Sequence, residues 1–284
     1  MEVTRVGVVG LGAMGAGIAQ LSIEAGIETV GCEMSAELGQ RARGRIEHFL
    51  TRKVEKSKLD PGERDAAVGR LHVTTDIGAL AGCDVVVEAV VEELEPKREV
   101  FRRLEETCRG DAVLATNTSA LSVAEIAEAV RTPERVVGMH FFNPAPLMPL
   151  VEVVRAPASS DQAVEIAAGL AERFGKEVVR CNDTPAFVVN RVLIPLLNDC
   201  VRVLDEANVS PQDLDTAMKA GAGWPMGPCE LLDLVGLDVH VHASESLNAR
   251  QPEPRFEPPA RLVAMVAEGR LGRKSGRGFY DYDT

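Results

Sequence analysis

A glycine-rich turn constrains the fold of this chain more than any other feature. Residues 6–9 (VGVV) form an apolar run long enough for a buried strand, and residues 10–15 (GLGAMG) lead into a helical apolar pattern. In the spacing G-x-G-x-x-G, Gly10 permits a tight turn, Gly12 lets the backbone approach a pyrophosphate, and Gly15 lets the helix pack on the strand. N–H groups at the helix start would hold the diphosphate of a dinucleotide. The turn thus predicts five cofactor contacts, at Gly10, Gly12, Ala13, Met14 and Gly15.

The residues after this turn complete a dinucleotide-binding pattern. A second predicted strand, 27–32, leads to Glu33, which lies 23 residues after Gly10. That distance is near the ~20 residues expected for the acid that hydrogen-bonds the adenosine ribose. A carboxylate there repels a 2′-phosphate, so we predict NAD as the cofactor. Arg41 and Arg43 nearby leave NADP open.

The composition argues against several classes of protein, among them nucleic-acid-binding and membrane proteins. A chain of 284 residues is long enough for two domains, and its formal charge of −12 argues against a nucleic-acid partner. We expect no membrane partner, because no apolar run approaches the ~20 residues of a spanning helix. The six cysteines show no C-x-x-C or metal-ligand spacing. We therefore expect no metal and a reduced, cytoplasmic protein.

One segment is basic against this acidic background. Between Arg41 and Lys58 there are seven basic and two acidic residues. A charge run of this kind is often a solvated helix face. The alternative is a local patch that attracts a polyanionic ligand. The residues alone favour neither interpretation.

Strands and helices alternate along the first part of the chain, which predicts a doubly wound parallel α/β sheet over residues 1–183. The apolar runs 135–140 and 150–154 are joined by a loop too short for a helical crossover, so we expect them to be antiparallel. Residues 184–284 have a helical pattern and form the second predicted domain.

The second predicted domain begins with Thr184 as a helix N-cap and Pro185 at the first helical position. The helix continues over 187–206, with a kink at Pro195. A helix this apolar needs burial on several sides. We therefore predict a homodimer formed through the C-terminal domain.

Polar residues follow the predicted strands at the edge where doubly wound sheets bind ligands. Among them, His140 is suited to take a hydroxyl proton near neutral pH. Glu152, on the strand predicted to return beside it, would orient the imidazole and stabilise its charged form. The alternative is a structural His–Glu pair. Ser119 and Asn190 could hydrogen-bond a substrate oxygen, or instead serve as a helix cap and a helix–helix contact.

The sequence resembles the L-3-hydroxyacyl-CoA dehydrogenases, and most closely the short bacterial 3-hydroxybutyryl-CoA dehydrogenases, over essentially its whole length. The matching motifs are GLGAMGAGIA (10–19), EAVVE (88–92), TNTS (116–119), GMHFFNPAP (138–146), DTPAFVVNR (183–191), GAGWPMGP (221–228) and GRKSGRGFY (272–280). The resemblance implies a Rossmann-like NAD-binding domain followed by an all-α substrate and dimerisation domain. It also implies NAD-dependent interconversion of (S)-3-hydroxyacyl-CoA and 3-oxoacyl-CoA, short chains preferred.

The resemblance also implies roles for individual residues. His140 is similar to the catalytic base and Glu152 to its orienting carboxylate, with Ser119 and Asn190 around the substrate's C3 oxygen. Arg52 and Lys56 match the helix that meets the CoA phosphates. The remaining positions matching cofactor contacts are Glu92, Lys97, Asn117, Ser119, Asn143 and Lys274.

Three positions depart from the family pattern: Glu33 stands for Asp, Pro149 for Lys and Ala186 for Gly. Two other functions stay open. The same fold could act on a dicarboxylic, branched or carrier-protein-bound 3-hydroxyacyl substrate or on a free sugar acid, or it could bind a dinucleotide without turnover.

Overall fold

An eight-stranded sheet forms the centre of the first part of the chain in this computed structural model, which describes residues 2–282. The strands are β1 (Arg5–Val9), β2 (Glu28–Cys32), β3 (Leu71–Thr74), β4 (Val85–Glu88), β5 (Val113–Thr116), β6 (Val136–Phe141), β7 (Leu150–Arg155) and β8 (Glu177–Asn182). Their order is β3-β2-β1-β4-β5-β6-β7-β8, and only β6 and β7 pair antiparallel. The order reverses between β1 and β4, where doubly wound sheets bind ligands. The predicted sheet and the predicted antiparallel pair are confirmed.

In the part of the chain that the structure describes, six α-helices accompany this sheet. They are α1 (Ala13–Glu24), α2 (Ala36–Glu55), α3 (Pro61–Gly69), α4 (Leu94–Thr107), α5 (Val123–Ala127) and α6 (Asp161–Arg173). The helix α3 is not predicted by the sequence pattern. Asp60 begins it by accepting a hydrogen bond from Gly62 N at 2.7 Å, and Glu63 reaches back to Asp60 N in a capping box.

The chain divides into two compact units, the first ending at Phe187 and the second starting at Val188. The second contains α7 (Val189–Glu206), α8 (Pro211–Ala222), α9 (Pro228–Val235), α10 (Leu237–Arg250) and α11 (Ala260–Ala267). These helices pack around a small apolar core that includes Leu197, Val201 and Leu232. The predicted all-helical C-terminal region is confirmed. Within residues 2–282, no helix is both long and apolar enough to cross a membrane.

The predicted start of the first C-terminal helix is wrong. Thr184 is not its cap, because α7 begins only at Val189. Ala186 and Phe187 have φ angles of 62° and 53°, in the left-handed region that a right-handed helix excludes. These residues form a turn in which Phe187 N donates to Thr184 O at 2.9 Å. α7 then runs through Pro195 to Glu206.

Candidate active site

The three glycines of the first turn meet the three steric demands of a dinucleotide site. Gly10 has a φ of 83°, which side chains disfavour. A Cβ on Gly15 would lie 1.8 Å from Gly10 O, so only glycine lets α1 pack this closely on β1. A Cβ on Gly12 would meet nothing within 4 Å. The space beside Gly12 is therefore open to a diphosphate.

The start of α1 and the end of β2 present complementary groups to a dinucleotide. Gly12 is the N-cap of α1 and supplies no side-chain cap, so the first-turn N–H groups, those of Ala13 and Met14 included, are available to an anion. Glu33 follows β2 and accepts hydrogen bonds from Leu11 N and Met34 N, both at 2.8 Å. The carboxylate is thereby held beside the turn, where a ribose hydroxyl would reach it. These residues fit NAD.

A buried charge network lies at the end of β4. Lys97, on α4, is only 1% exposed, and its Nζ lies 2.7 Å from Glu88 Oε1 and 3.3 Å from Glu92 Oε2. Glu88 is fully buried and also accepts a hydrogen bond from Thr116 Oγ1 at 2.8 Å. Glu88 is not among the predicted site residues, although a buried carboxylate at the end of an all-valine strand requires a partner. Lys97 is that partner.

Glu92 organises the loop after β5. One of its carboxylate oxygens accepts hydrogen bonds from Thr118 Oγ1 and Ser119 N at 2.7 Å, from Ala120 N at 3.0 Å and from Ser119 Oγ at 3.2 Å. Burial alone would raise the pKa of Glu92, but Lys97 and these hydrogen bonds outweigh it and lower the pKa. Glu92 is therefore charged at neutral pH and fixes the backbone at Ser119.

His140 and Glu152 form a buried pair across the antiparallel strands. The register of β6 and β7 places them directly opposite each other, and His140 Nδ1 lies 2.7 Å from Glu152 Oε2. His140 is 4% exposed and Glu152 is fully buried. Phe142 and Phe187 contact the imidazole, with ring centroids 4.5 and 5.6 Å away. When Nδ1–H donates to the carboxylate, Nε2 carries the lone pair and can accept a proton.

Asn117 connects the ends of β5 and β6. Its Oδ1 accepts a hydrogen bond from Phe141 N at 3.0 Å. Ser119 and His140 thus belong to the ends of adjacent parallel strands, joined by this contact. Asn143 follows β6 and begins the exposed loop that leads to β7. The predicted residues Asn117, Ser119, His140 and Asn143 therefore lie at the carboxyl ends of two neighbouring strands, β5 and β6.

The basic segment forms one wall of a cavity of about 540 Å³. Ala16 and Gly17 of α1, Phe49 of α2, and Pro146 and Leu147 of the loop after β6 belong to its lining. Its charged and amide-bearing lining residues are Gln20, Arg45, Arg52, Lys53, Lys56, Lys58 and Asn143. The volume lies within the roughly 300–1,000 Å³ typical of small-molecule sites. Arg52 and Lys56 thus line a concave surface, which favours the ligand-binding interpretation of the basic segment.

Two predicted site residues belong to the second unit. Asn190 is the second residue of α7. Lys274 lies in a short turn, Arg273–Ser275, where its Nζ is 2.7 Å from Asp238 Oδ2. Among the described residues, no cluster of His, Cys, Asp or Glu could hold a metal ion, and all six cysteines are free thiols.

Known proteins resemble this chain over its full length. A family model described as "3-hydroxyacyl-CoA dehydrogenase, NAD binding domain" matches residues 5–184, and one described as "3-hydroxyacyl-CoA dehydrogenase, C-terminal domain" matches residues 187–282. A 3-hydroxybutyryl-CoA dehydrogenase of Mycobacterium tuberculosis is 44% identical over 99% of both chains. A 3-hydroxyadipyl-CoA dehydrogenase of Escherichia coli is 44% identical over 99% of this chain and 60% of its own length. The crystal structure of an (S)-3-hydroxybutyryl-CoA dehydrogenase from Ralstonia eutropha is 35% identical, with a TM-score of 0.96 and full coverage of both chains.

Proposed function

This chain belongs to the 3-hydroxyacyl-CoA dehydrogenase family, and we propose that it interconverts (S)-3-hydroxyacyl-CoA and 3-oxoacyl-CoA with NAD, preferring short acyl chains such as those of 3-hydroxybutyryl-CoA and acetoacetyl-CoA. One observation carries the chemical part of this proposal. His140, buried on β6 of the sheet that carries the dinucleotide-binding turn, has its Nδ1 engaged by Glu152 at 2.7 Å. That arrangement suits proton transfer at Nε2.

Different groups of the first unit have different roles in the proposed reaction. Bound NAD supplies the hydride acceptor or donor at nicotinamide C4. The N–H groups at the start of α1 bind the diphosphate, and Glu33 accepts hydrogen bonds from the adenosine ribose. His140 Nε2 takes the proton of the C3 hydroxyl during oxidation and returns it during reduction, while Glu152 stabilises the imidazolium.

The remaining predicted residues have supporting roles in this proposal. The Ser119 hydroxyl exchanges its 3.2 Å donation to Glu92 for one to the substrate's C3 oxygen, while Glu92 still fixes the backbone through Ser119 N. Lys97 acts through Glu88 and Glu92, because its buried ammonium group is engaged by both carboxylates. For the cofactor contacts of Asn117, Asn143 and Lys274, and for the substrate contact of Asn190, the family resemblance is the support.

Replacing the proposed base tests this function. We expect His140→Gln to lower turnover of acetoacetyl-CoA by roughly two to four decades while leaving NADH affinity intact, because general acid–base catalysis is lost and the dinucleotide turn is not. The measurement is initial-rate kinetics together with a fluorescence titration of NADH. His48→Gln, at an exposed position on α2, is the matched control. Near-normal turnover by His140→Gln would show that another group moves the proton.

A dicarboxylic substrate is the second candidate, because the Escherichia coli relative is named a 3-hydroxyadipyl-CoA dehydrogenase. Initial rates with acetoacetyl-CoA, 3-oxoadipyl-CoA, an acyl carrier protein thioester and a free β-keto acid separate the substrate classes. We expect the highest kcat/KM with acetoacetyl-CoA. Running each with NADH and NADPH tests the expected preference for NADH, which Glu33 supports.

The proposal includes a cytoplasmic homodimer with an NAD-binding domain over 1–183 and a substrate and dimerisation domain over 184–284. The compact-unit boundary at Phe187 supports the division. Val192, Leu196 and Val203 are exposed on α7 at spacings that share one face, which supports pairing through the second unit. The six free thiols support a reducing compartment. A monomer by sedimentation at micromolar concentration would refute the dimer.

A further inference from the structure

A buried carboxylate, that of Glu88, ends β4 and is surrounded by hydrogen-bond donors. Its Oε1 accepts from Val90 N and from Lys97 Nζ, both at 2.7 Å, and its Oε2 accepts from Thr116 Oγ1 at 2.8 Å. The Thr116 hydroxyl itself accepts from Thr118 N at 3.3 Å, which leaves its proton to donate to Glu88. This set of partners suits a negatively charged side chain.

The chain at Glu88 packs directly against the glycine-rich turn. Val9, the last residue of β1, lies opposite Glu88 in the parallel pair of β1 and β4. The next residue, Ala89, donates from its N to Val9 O at 2.8 Å, and a Cβ on Gly10 would lie 2.8 Å from Ala89 O. The buried carboxylate therefore belongs to the residue just before one that contacts the cofactor turn.

Glu88 belongs to a cluster with an excess of negative charge. The ammonium group of Lys97 is engaged by two carboxylates, those of Glu88 and Glu92, so two negative charges and one positive charge leave a net charge of −1. Glu88 is fully buried and Lys97 is 1% exposed, so water screens this charge weakly. The cluster therefore acts on charges that form or disappear near the end of β4.

The strand order indicates which half of the dinucleotide lies near this cluster. Glu33 follows β2, so the adenosine ribose would lie on that side of the turn. His140 is on β6, so the ring that exchanges hydride beside it would extend over the ends of β4 and β5. Neighbouring strands are about 4.8 Å apart, which separates β4 from β6 by about 10 Å. The nicotinamide half is therefore the half nearest to Glu88.

We propose that the buried negative charge of the Glu88, Lys97 and Glu92 cluster favours binding of the oxidised cofactor over the reduced one, with Glu88 as its innermost member. This inference rests on the proposed function. The oxidised ring carries a positive charge, and hydride arriving from substrate C3 with its electron pair forms the new C–H bond at C4 and leaves the ring neutral. A fixed negative charge attracts only the oxidised form.

Equilibrium binding of the cofactor in both redox states tests the charge. For Glu88→Gln, which keeps the side chain's shape, we expect the Kd for NAD⁺ divided by the Kd for NADH to rise roughly five- to 15-fold. That is the factor for one unit charge about 10–15 Å away at an effective dielectric constant of about 20. The affinity for ADP-ribose, which lacks the nicotinamide, should stay within about twofold, because the turn is unchanged. Calorimetry measures NAD⁺ and ADP-ribose, and fluorescence titration measures NADH.

Three further variants separate charge from geometry. Glu88→Asp keeps the charge, so the Kd ratio should stay within about twofold of wild type even where both affinities fall. Glu92→Gln removes a partly exposed charge of the same cluster and should also raise the ratio, which keeps the test decisive if Glu88→Gln does not fold. Glu99→Gln is the matched control, because it removes an exposed carboxylate paired with Arg102 on α4.

Either of two results would overturn the inference and leave the proposed function standing. One is that folded Glu88→Gln, or Glu92→Gln in its place, keeps the wild-type Kd ratio. The other is that the variant weakens binding of NAD⁺, NADH and ADP-ribose by the same factor, as a purely structural residue would. Conversely, a wild-type chain that binds both cofactor forms but does not reduce acetoacetyl-CoA refutes the proposed function, and the Kd ratios still decide the role of the charge.

Discussion

Glu152→Gln isolates what the buried carboxylate contributes to the proposed chemistry. Glu152 is fully buried and lies 2.7 Å from His140 Nδ1, so its charge acts on the imidazolium with little solvent screening. At a charge separation of about 4 Å and an effective dielectric constant of about 20, the attraction is about 4 kcal/mol. Gln keeps one hydrogen bond to the imidazole but removes the charge. The expected net loss is roughly 3–4 kcal/mol, or about two to three decades in turnover.

The assay is the rate of NAD reduction with (S)-3-hydroxybutyryl-CoA, alongside the affinity for NADH and circular dichroism of the fold. Affinity and fold should stay at wild-type values, because the dinucleotide turn is unchanged and a neutral amide is less costly to bury than a carboxylate. Glu165→Gln, which removes an exposed carboxylate paired with Arg180 on the same unit, is the control. If Glu152→Gln stays within threefold of wild-type turnover, the carboxylate does not stabilise a charged imidazole and the proposed division of roles is wrong.

Two further predictions concern the turn and the acid stability of the fold. Gly12→Ala should weaken NADH binding roughly ten- to 100-fold with little change in melting temperature, because its Cβ enters open space where the diphosphate would approach. Gly15→Ala should instead destabilise the fold by roughly 1–3 kcal/mol, because its Cβ would lie 1.8 Å from Gly10 O. NADH titration and thermal melts distinguish a loss of cofactor binding from a loss of stability. The same response in both variants would contradict the separate roles given to Gly12 and Gly15. Burial would raise the pKa of Glu105, but hydrogen bonds from Arg131 and Thr132 lower it from 4.5 to about 2. That depressed pKa contributes stability above pH 4.5 that is lost as the pH falls toward 2. Glu105→Gln should therefore lower the free energy of unfolding, measured in urea at pH 7, by roughly 2 kcal/mol and flatten its pH dependence between pH 4.5 and 2. An unchanged pH dependence would show that other groups cause it.

The cofactor turn and the His–Glu pair could be predicted from sequence because both follow local rules. The turn needs only a strand, three glycines at fixed spacing and a helix, which lie within one short segment. The short loop between the predicted strands made an antiparallel pair necessary, and the register then places Glu152 opposite His140. The family resemblance, the NAD-dependent activity and the fold class are confirmed by the matched family models and structures.

Other features depend on tertiary packing that periodicity does not show. The helix α3 is short, and its Asp-Pro-Gly start is equally typical of a turn, so its capping box was missed. The start of α7 was misplaced because proline after threonine is typical of a helix start, while the left-handed φ of Ala186 comes from its surroundings. The left-handed conformation at Ala186 also accounts for the glycine that the family more often has there. Partners such as Glu88 for Lys97 require the fold itself.

The loop after β6 relates carrier binding to catalysis. His140 and Leu147 are separated by only six residues, and this segment is held from two sides, by Asn117 at Phe141 N and by Lys176 at two loop carbonyls. Because these contacts lie within the first unit and need no ligand, we expect carrier binding to require no rearrangement of the base. Its binding energy is then shared equally by ground state and transition state, and it appears in KM rather than in kcat. A preformed loop therefore explains why weaker binding of the CoA carrier should raise the KM for the thioester while leaving the rate of hydride transfer unchanged.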